Sequence, residues 1–150
     1  MKRIFNKTLG VFVIAVAVLC VVLLSSLARP AYASTIADNS AIWYIISDDG
    51  AIIVACDPSV SGHLTIPETL GGYPVVTIGD EAFMNCENLT GITIPDTVTS
   101  INYCAFQYCT GLKSVYIGSG LQNVGIFAFD DCSALEKIEV AASNEVFHSD

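Results

Sequence analysis

The sequence predicts a mainly β solenoid in which each coil corresponds to one copy of an internal repeat. Residues of the same type return every 23 positions over three copies in the second half of the chain. Each copy also contains a short stretch in which apolar and polar residues alternate, which is typical of strands with one buried side. Repeats of this length are typical of solenoids, because one unit cannot bury its apolar face alone and must stack on its neighbours.

Seven columns of like residues define the repeat. The clearest contains a phenylalanine that follows an alanine in every copy, and a cysteine comes three residues later. The apolar columns are Phe83/Phe106/Phe129, Cys86/Cys109/Cys132, Leu89/Leu112/Leu135, Ile92/Val115/Ile138, Ile94/Ile117/Val140 and Ile78/Ile101/Val124, together with the alanines. Agreement over so many columns indicates a structural repeat.

The spacing within one copy predicts the course of a coil. The segment Leu112-x-x-Val115-x-Ile117 ends in a strict apolar and polar alternation, which is typical of a strand. The strand is expected to end at a turn, marked by Pro95 in one copy and by Gly118 in the next. A second short strand follows, and the Ala-Phe-x-x-Cys segment is then predicted to form one tight helical turn that directs the ring inward. Successive strands are expected to pair in parallel about 4.8 Å apart. Each buried phenylalanine is expected to contribute about 1.5–3 kcal/mol.

Residues 1–33 are predicted to form a signal peptide with a helix. A basic start precedes an apolar run from Leu9 to Leu24, and Pro30 breaks the helix before Ala31-Tyr32-Ala33, a small-x-small cleavage signature. We expect cleavage between Ala33 and Ser34. The alternative is an uncleaved membrane anchor, because the run is nearly long enough to span a bilayer. In both cases the rest of the chain is exported, which predicts a secreted or cell-surface location.

Residues 34–65 lack the repeat and are predicted to form an N-terminal β-hairpin cap. Apolar stretches at 42–46 and 51–55 flank Asp48-Asp49-Gly50, and an Asp-Gly pair favours a hairpin turn. Terminal units of solenoids are atypical because one of their faces meets water.

Residues 66–150 are predicted to form about three coils, with a truncated last unit that starts at Ala141. No polar capping element is expected after the third coil. Two interpretations stay open: the chain is a fragment of a longer repeat protein, or its last coil frays and leaves an open parallel edge.

The charge of the chain excludes some partners. Once the leader is removed, two basic and 15 acidic residues remain, which gives a net charge of −13. Such a surface repels phosphate backbones, so we expect no nucleic-acid partner. The chain contains only two histidines, His63 and His148, and no Cys-x-x-Cys pair. We therefore predict no metal site and no cofactor.

An enzyme requires titratable groups that converge at fixed geometry. Both histidines are predicted to lie away from the repeats, so no cysteine gains a base, and we predict no catalytic residue. Cys86, Cys109 and Cys132 are expected to form a buried column of thiols. A disulfide between stacked neighbours would be strained, because in-register strands place the Cβ atoms slightly too far apart. Cys104 is expected to be half-buried.

The segment Ile94-Pro95-Asp96-Thr97-Val98-Thr99-Ser100-Ile101, followed by Asn102 where glycine is usual, resembles the repeat of the BspA-like leucine-rich repeat family. Ile78-Gly79 and Ala82-Phe83 match the same repeat in the first copy, and Gly118 replaces the proline in the third. The resemblance covers residues 66–150 closely and 42–65 loosely. It implies a leucine-rich-repeat solenoid in a cell-surface or secreted protein, with a role in adhesion and protein binding and no active site.

Outward positions of the predicted strands form the candidate binding face. The residues that alternate with the buried ones begin at Gly91, and Tyr116 is the one aromatic among them. Aromatic side chains are enriched in binding hot spots. The predicted ligand contacts are Thr93, Ser114, Tyr116, Lys137 and Glu139.

The predicted function is a binding module for an extracellular protein or glycan, through adhesion or recognition on the strand face. The alternative is a non-binding structural spacer or a fragment of a larger surface protein. In the alternative, these five residues are ordinary solvent-facing strand residues. With either function, the membrane is contacted only through the leader, if the leader is uncleaved.

We expect the purified chain to self-associate through its C-terminal edge. An open parallel edge offers unpaired N–H and C=O groups to a second chain. Light scattering is expected to give a mass above that of one chain, and a monodisperse monomer would contradict this prediction.

Overall fold

The computed structural model describes residues 41–147. The predicted signal-peptide helix and the cleavage site at Ala33 and Ser34 lie outside the described residues. The described part of the chain forms strands joined by turns and contains no helix. Within it, no helical segment has the length and apolar character needed to cross a bilayer.

Ten strands follow one another in the described residues. They are β1 (Ile42–Ile46), β2 (Ala51–Cys56), β3 (Gly62–Thr65), β4 (Thr69–Leu70), β5 (Tyr73–Ile78), β6 (Leu89–Ile94), β7 (Ser100–Ile101), β8 (Ser114–Ile117), β9 (Asn123–Val124) and β10 (Lys137–Val140). One sheet has the order β1-β2-β5-β7-β9, with β4 paired to β5. The other sheet has the order β3-β6-β8-β10. Each coil contributes one strand to each sheet, so the structure is a β-solenoid, as predicted.

Like residues of successive coils are paired in the sheets. Parallel pairing joins Ile92 to Val115 and Val115 to Ile138, and each pair is one repeat apart in the sequence. In the other sheet, Ser100 pairs with Asn123 at the same step. The columns predicted from the sequence are therefore rows of neighbours in the structure.

The predicted hairpin is present at the start of the described residues. β1 and β2 pair antiparallel, and the Ser47 amide donates to the Gly50 carbonyl at 2.8 Å to close the turn. β2 then pairs in parallel with β5, and β3 pairs in parallel with β6. The solenoid sheets thus include strands from before residue 66, and the role of the hairpin as a cap stays a prediction.

The Ala-Phe-x-x-Cys segment is not the helical turn that its spacing predicts. The Met84 amide donates to Glu81 at 3.0 Å and the Cys86 amide donates to Phe83 at 3.1 Å, so two successive turns close over three residues each. Glu81 and Asn85 have φ values of 56° and 62°. An α-helix needs bonds over four residues and negative φ throughout, which excludes it here.

These turns also bond to the next coil. The Phe83 amide donates to the Ala105 carbonyl at 2.7 Å, and the Phe106 amide donates to the Ala128 carbonyl at 2.8 Å. A helical turn would direct these amides along its own axis. The segment instead satisfies its backbone between coils, and the predicted inward direction of the ring is confirmed, because Phe83 and Phe106 are fully buried.

A ladder of phenylalanine rings runs through the core. Phe106 stacks on Phe83 with ring centroids 4.9 Å apart and on Phe129 with centroids 5.1 Å apart. Core side chains are less well covered in the last described coil, where Val124 is 42% and Ile138 is 47% exposed. The equivalent residues Ile101 and Val115 are buried by the coil that follows them.

A polar residue covers part of the last coil, although no polar capping element was expected there. Asn144 stands in the column of Val98 and Leu121, is 3% exposed, and donates to the Gly118 and Leu121 carbonyls at 3.3 and 3.0 Å. Its side-chain oxygen accepts from two amides just after it. This single asparagine supplies both donors and acceptors to the turn, and the absence of a capping element stays a prediction.

Phe106→Ala is expected to lower the free energy of unfolding by about 3–5 kcal/mol, because it leaves a cavity between two stacked rings. Phe129→Ala is the matched control and is expected to cost less, since Phe129 is only partly buried. Urea denaturation monitored by circular dichroism measures both losses. If Phe106→Ala lowers the free energy of unfolding no more than Phe129→Ala does, the result would contradict the stacking of Phe106 between two rings.

Candidate binding face

The sheet of β3, β6, β8 and β10 presents two outward rows, which we call the strand face. Outward residues alternate with buried ones along β3 and β8, and the parallel register aligns them with the equivalent positions of β6 and β10. The first row is His63, Gly91, Ser114 and Lys137, and the second row is Thr65, Thr93, Tyr116 and Glu139.

The structure brings all five residues predicted to bind ligand onto this face. Tyr116 lies between Thr93 and Glu139 in the second row and is 42% exposed. Ser114 and Lys137 are neighbours in the first row. The Lys137 ammonium contacts the Glu139 carboxylate at 2.6 Å, and both side chains are more than half exposed. This ion pair adds little stability, but it leaves the face without net charge.

His63 and Thr65 also belong to the strand face, although the sequence analysis placed them in the hairpin region. The signal was present, since Leu64-Thr65-Ile66-Pro67 matches Ile92-Thr93-Ile94-Pro95. The two segments are separated by more than one repeat because the hairpin of β4 and β5 is inserted between them, and that spacing hid the match. Leu64 pairs with Ile92 and Thr65 with Thr93 in the sheet.

The imidazole of His63 lies across β6. Its Nε2 is 2.9 Å from the Thr93 hydroxyl. A Cβ atom added to Gly91 would collide with His63 Nδ1 and come within 3.0 Å of Ser114 Oγ. Gly91 therefore provides the space in which the ring lies, and a larger residue there would displace the ring.

The strand face continues into an open depression at β10. It has a volume of about 460 Å³. The lining residues are Tyr116, Lys137, Ile138, Glu139, Val140, Ala141 and Ala142. Three predicted contact residues thus border one concave surface, although it is shallow and open to solvent.

The cysteines form the other group of potentially reactive residues. Cys86, Cys109 and Cys132 are buried free thiols in one column, as predicted, and Cys56 extends the column at its N-terminal end. The Cys109 thiol donates to the Phe83 carbonyl at 3.0 Å. Cys104 is 2% exposed, so the expectation that it is half-buried was wrong. Within residues 41–147 no three metal-binding side chains come together.

The environment of the column makes two of its thiols, those of Cys56 and Cys109, poor nucleophiles. A hydrogen bond with the Cys86 thiol and burial raise the pKa of Cys56 far above its usual value. A hydrogen bond with Cys132 and burial likewise raise the pKa of Cys109. Because the thiolate is the reactive form, both residues are inert at neutral pH.

The fold and the periodic columns define a solenoid of leucine-rich-repeat type. A family model described as the BspA type leucine rich repeat region (6 copies) matches residues 75–150, half of the chain. The chain belongs to this BspA-type leucine-rich repeat family. The resemblance seen in the sequence is thereby confirmed. No curated protein matches the chain.

Solved structures of leucine-rich repeat proteins are similar to the chain. A leucine rich repeat protein from T. pallidum has 27% identity and a TM-score of 0.62, and the match covers 73% of this chain. A leucine rich cell surface protein from Faecalibacterium prausnitzii has 32% identity and a TM-score of 0.58 over 81% of this chain. A leucine-rich repeat protein from Bacteroides ovatus has 28% identity and a TM-score of 0.56 over 70%. The matches cover 48%, 32% and 29% of those chains respectively, so this chain spans less than half of each.

The free energy of unfolding is expected to fall as the pH rises above about 8.5, the usual cysteine pKa. The unfolded chain then loses thiol protons that the folded chain keeps, because the pKa of Cys109 is raised in the folded state. Each such thiol contributes a slope of about 1.4 kcal/mol per pH unit. Urea titrations between pH 7 and about 10 measure this slope.

Cys109→Ala removes a thiol whose pKa is raised in the folded state and is therefore expected to reduce that alkaline slope, even though it lowers stability at every pH. Gln122→Ala changes an exposed side chain away from the column and serves as the control. An alkaline slope equal in Cys109→Ala and in the unaltered chain would contradict a protonated, buried thiol.

Proposed function

We propose that this chain is an exported recognition module that binds an extracellular protein or glycan on the strand face. The observation that supports this most is the position of Tyr116. Its ring is 42% exposed in the second row of a continuous polar face, although aromatic rings gain free energy from burial. A contacting ligand would bury it, and tyrosines in such positions are frequent hot spots.

Export is supported by two independent features. The basic start, apolar run and Ala31-Tyr32-Ala33 of the first 33 residues have the order of a secretory leader. The similar protein from Faecalibacterium prausnitzii is described as a cell surface protein. We therefore propose a secreted or surface-attached location, at which extracellular macromolecules are the available partners.

The size of the face suits weak and repeated contacts. Four strands about 4.8 Å apart and two rows about 7 Å apart give a small surface. A stable protein interface buries about 800 Å² on each partner, which is a larger area than these eight side chains offer. Display of many copies on one surface would raise the overall affinity without any new contact.

A binding role also agrees with the chemistry of the buried groups. The thiols of Cys56 and Cys109 are protonated, and His63 contacts a hydroxyl group instead of a thiol. The described cysteines therefore have no histidine beside them, and we propose no catalytic role.

A spacer function is the second candidate. Lys137 and Glu139 neutralise each other, and most other side chains of the face are short. A surface of this kind also suits a rod that holds another domain away from the cell.

Binding of the mature chain, from Ser34 onward, to arrays of extracellular matrix proteins and glycans tests the proposal. We expect at least one saturable signal, and Tyr116→Ala is expected to weaken it about tenfold, the effect of one hot-spot side chain. Lys137→Ala is expected to weaken the signal less, because its exposed ion pair contributes little.

Asn123→Ala is the matched control, because Asn123 is exposed on the other sheet. It is expected to leave binding unchanged. A signal that survives both Tyr116→Ala and Lys137→Ala would exclude this face, and silence from a folded chain on every probe would favour the spacer.

A further inference from the structure

We infer that the ligand of the strand face is a neutral saccharide whose ring packs on Tyr116 and whose hydroxyls bond the short polar side chains around it. The inference rests on the proposed function and names the chemical class of its ligand. It depends on three features of the face: its neutrality, its hydroxyl groups and the imidazole held over Gly91.

The strand face is neutral in a strongly acidic chain. Residues 41–147 contain 13 acidic and two basic residues. Of the eight residues of the face only Lys137 and Glu139 are charged, and they form an ion pair with each other. An anionic ligand would be repelled by the remaining carboxylates, and a cationic ligand would be attracted to those carboxylates elsewhere on the chain. The face therefore favours a ligand without net charge.

Hydroxyl groups dominate the polar chemistry of the face. Thr65, Thr93, Ser114 and Tyr116 each carry one, and a hydroxyl both donates and accepts hydrogen bonds. Such groups match a ligand that is itself covered with hydroxyls, since either partner can donate. Threonine and serine side chains are also short, so holding them in one rotamer costs less entropy than holding lysine or arginine.

Two flat rings stand on the face. His63 Nε2 is fixed at 2.9 Å from the Thr93 hydroxyl, and the ring lies over Gly91, where a side chain would collide with it. Tyr116 belongs to the strand that follows β6 in the sheet. A pyranose has an apolar C–H surface on each side, and packing that surface on a flat ring removes both from water. The imidazole is thus a positioned part of the site.

A folded protein partner fits the same surface less well. Protein interfaces contain several buried aromatic or aliphatic anchors surrounded by a polar rim. Among the eight positions of the strand face, Tyr116 is the one large aromatic residue and none is a branched aliphatic residue. One exposed aliphatic side chain, Ile138, lies in the depression beside the face. A single sugar ring requires one such platform, so the composition of the face favours the saccharide.

The test uses the purified full chain and calorimetric titration with neutral tetrasaccharides: maltotetraose, cellotetraose, mannotetraose and chitotetraose. Tetragalacturonate is the charged comparison. We expect at least one neutral probe to bind and tetragalacturonate to bind none. The affinity for the neutral probe is expected to stay within about twofold when salt rises from about 50 to 500 mM, because screening does not act on an uncharged ligand.

Variants locate the site. Tyr116→Ala is expected to lower the affinity for the neutral tetrasaccharide about tenfold. His63→Ala and Gly91→Ala are each expected to lower it about three- to tenfold. His63→Ala leaves the backbone of Gly91 unaltered, so it tests the imidazole even where Gly91→Ala fails to fold. Asn123→Ala on the other sheet is the control and is expected to bind as the unaltered chain does.

The outcomes separate this inference from the proposed function. If no neutral tetrasaccharide binds while a matrix protein still binds and depends on Tyr116, the saccharide is wrong and the recognition face stands. If a neutral tetrasaccharide binds and neither Tyr116→Ala nor His63→Ala weakens that binding, the saccharide does not bind on the strand face and the inference is wrong. If a folded chain binds neither saccharides nor matrix proteins, both proposals fail.

Discussion

Backbone hydrogen bonds between coils one repeat apart are the constraint on which the rest of the structure depends. The Lys113 amide donates to Thr90 and the Gln122 amide donates to Thr99, each across one full repeat and at 2.9 Å. Since side chains alternate along a strand, a slip of one residue would turn every core residue outward. The fixed step therefore stacks the phenylalanine rings inside and, by the same geometry, aligns the two rows of the strand face outside.

The turns show how strongly this constraint acts. Positive φ returns at Glu81 and Asn85, at Cys104 and Tyr108, and at Phe127 and Asp131. None of these residues is glycine, and the left-handed region costs about 1–2 kcal/mol for each of them. In the first two turns the amides at these positions bond carbonyls of the next coil, which offsets that cost. The same φ values at Phe127 and Asp131 show that the turn conformation is repeated in the last described coil as well.

This dependence also explains what the sequence could predict. The Phe83 column, the strand that ends at Ile117 and the outward position of Tyr116 follow from periodicity alone, and all three are found in the structure. The turn was mistaken for a helical one because Ala, Phe and Cys are spaced as on one helical turn, and local spacing does not report bonds between coils. Asn144 was missed because its role depends on carbonyls that belong to the preceding coil.

The candidate site was predicted in part for the same reason. The five predicted contact residues lie in columns that keep the repeat unbroken, whereas His63 and Thr65 are separated from theirs by the inserted hairpin of β4 and β5. His63 changes the chemistry of the face, because its imidazole over Gly91 adds a second ring to that of Tyr116. The strand face has no net charge although the chain is acidic, and it is the surface on which we propose recognition.

Nuclear Overhauser contacts of the Tyr116 ring in the isotope-labelled full chain test the central claim, the register of the strand face, most directly. The account predicts contacts from the ring to the side chains of Thr93 and Glu139, its neighbours in the second row. Contacts from the ring to Ile92 and Val115, with none to Thr93, would place Tyr116 in the core and contradict both the register and the face built on it.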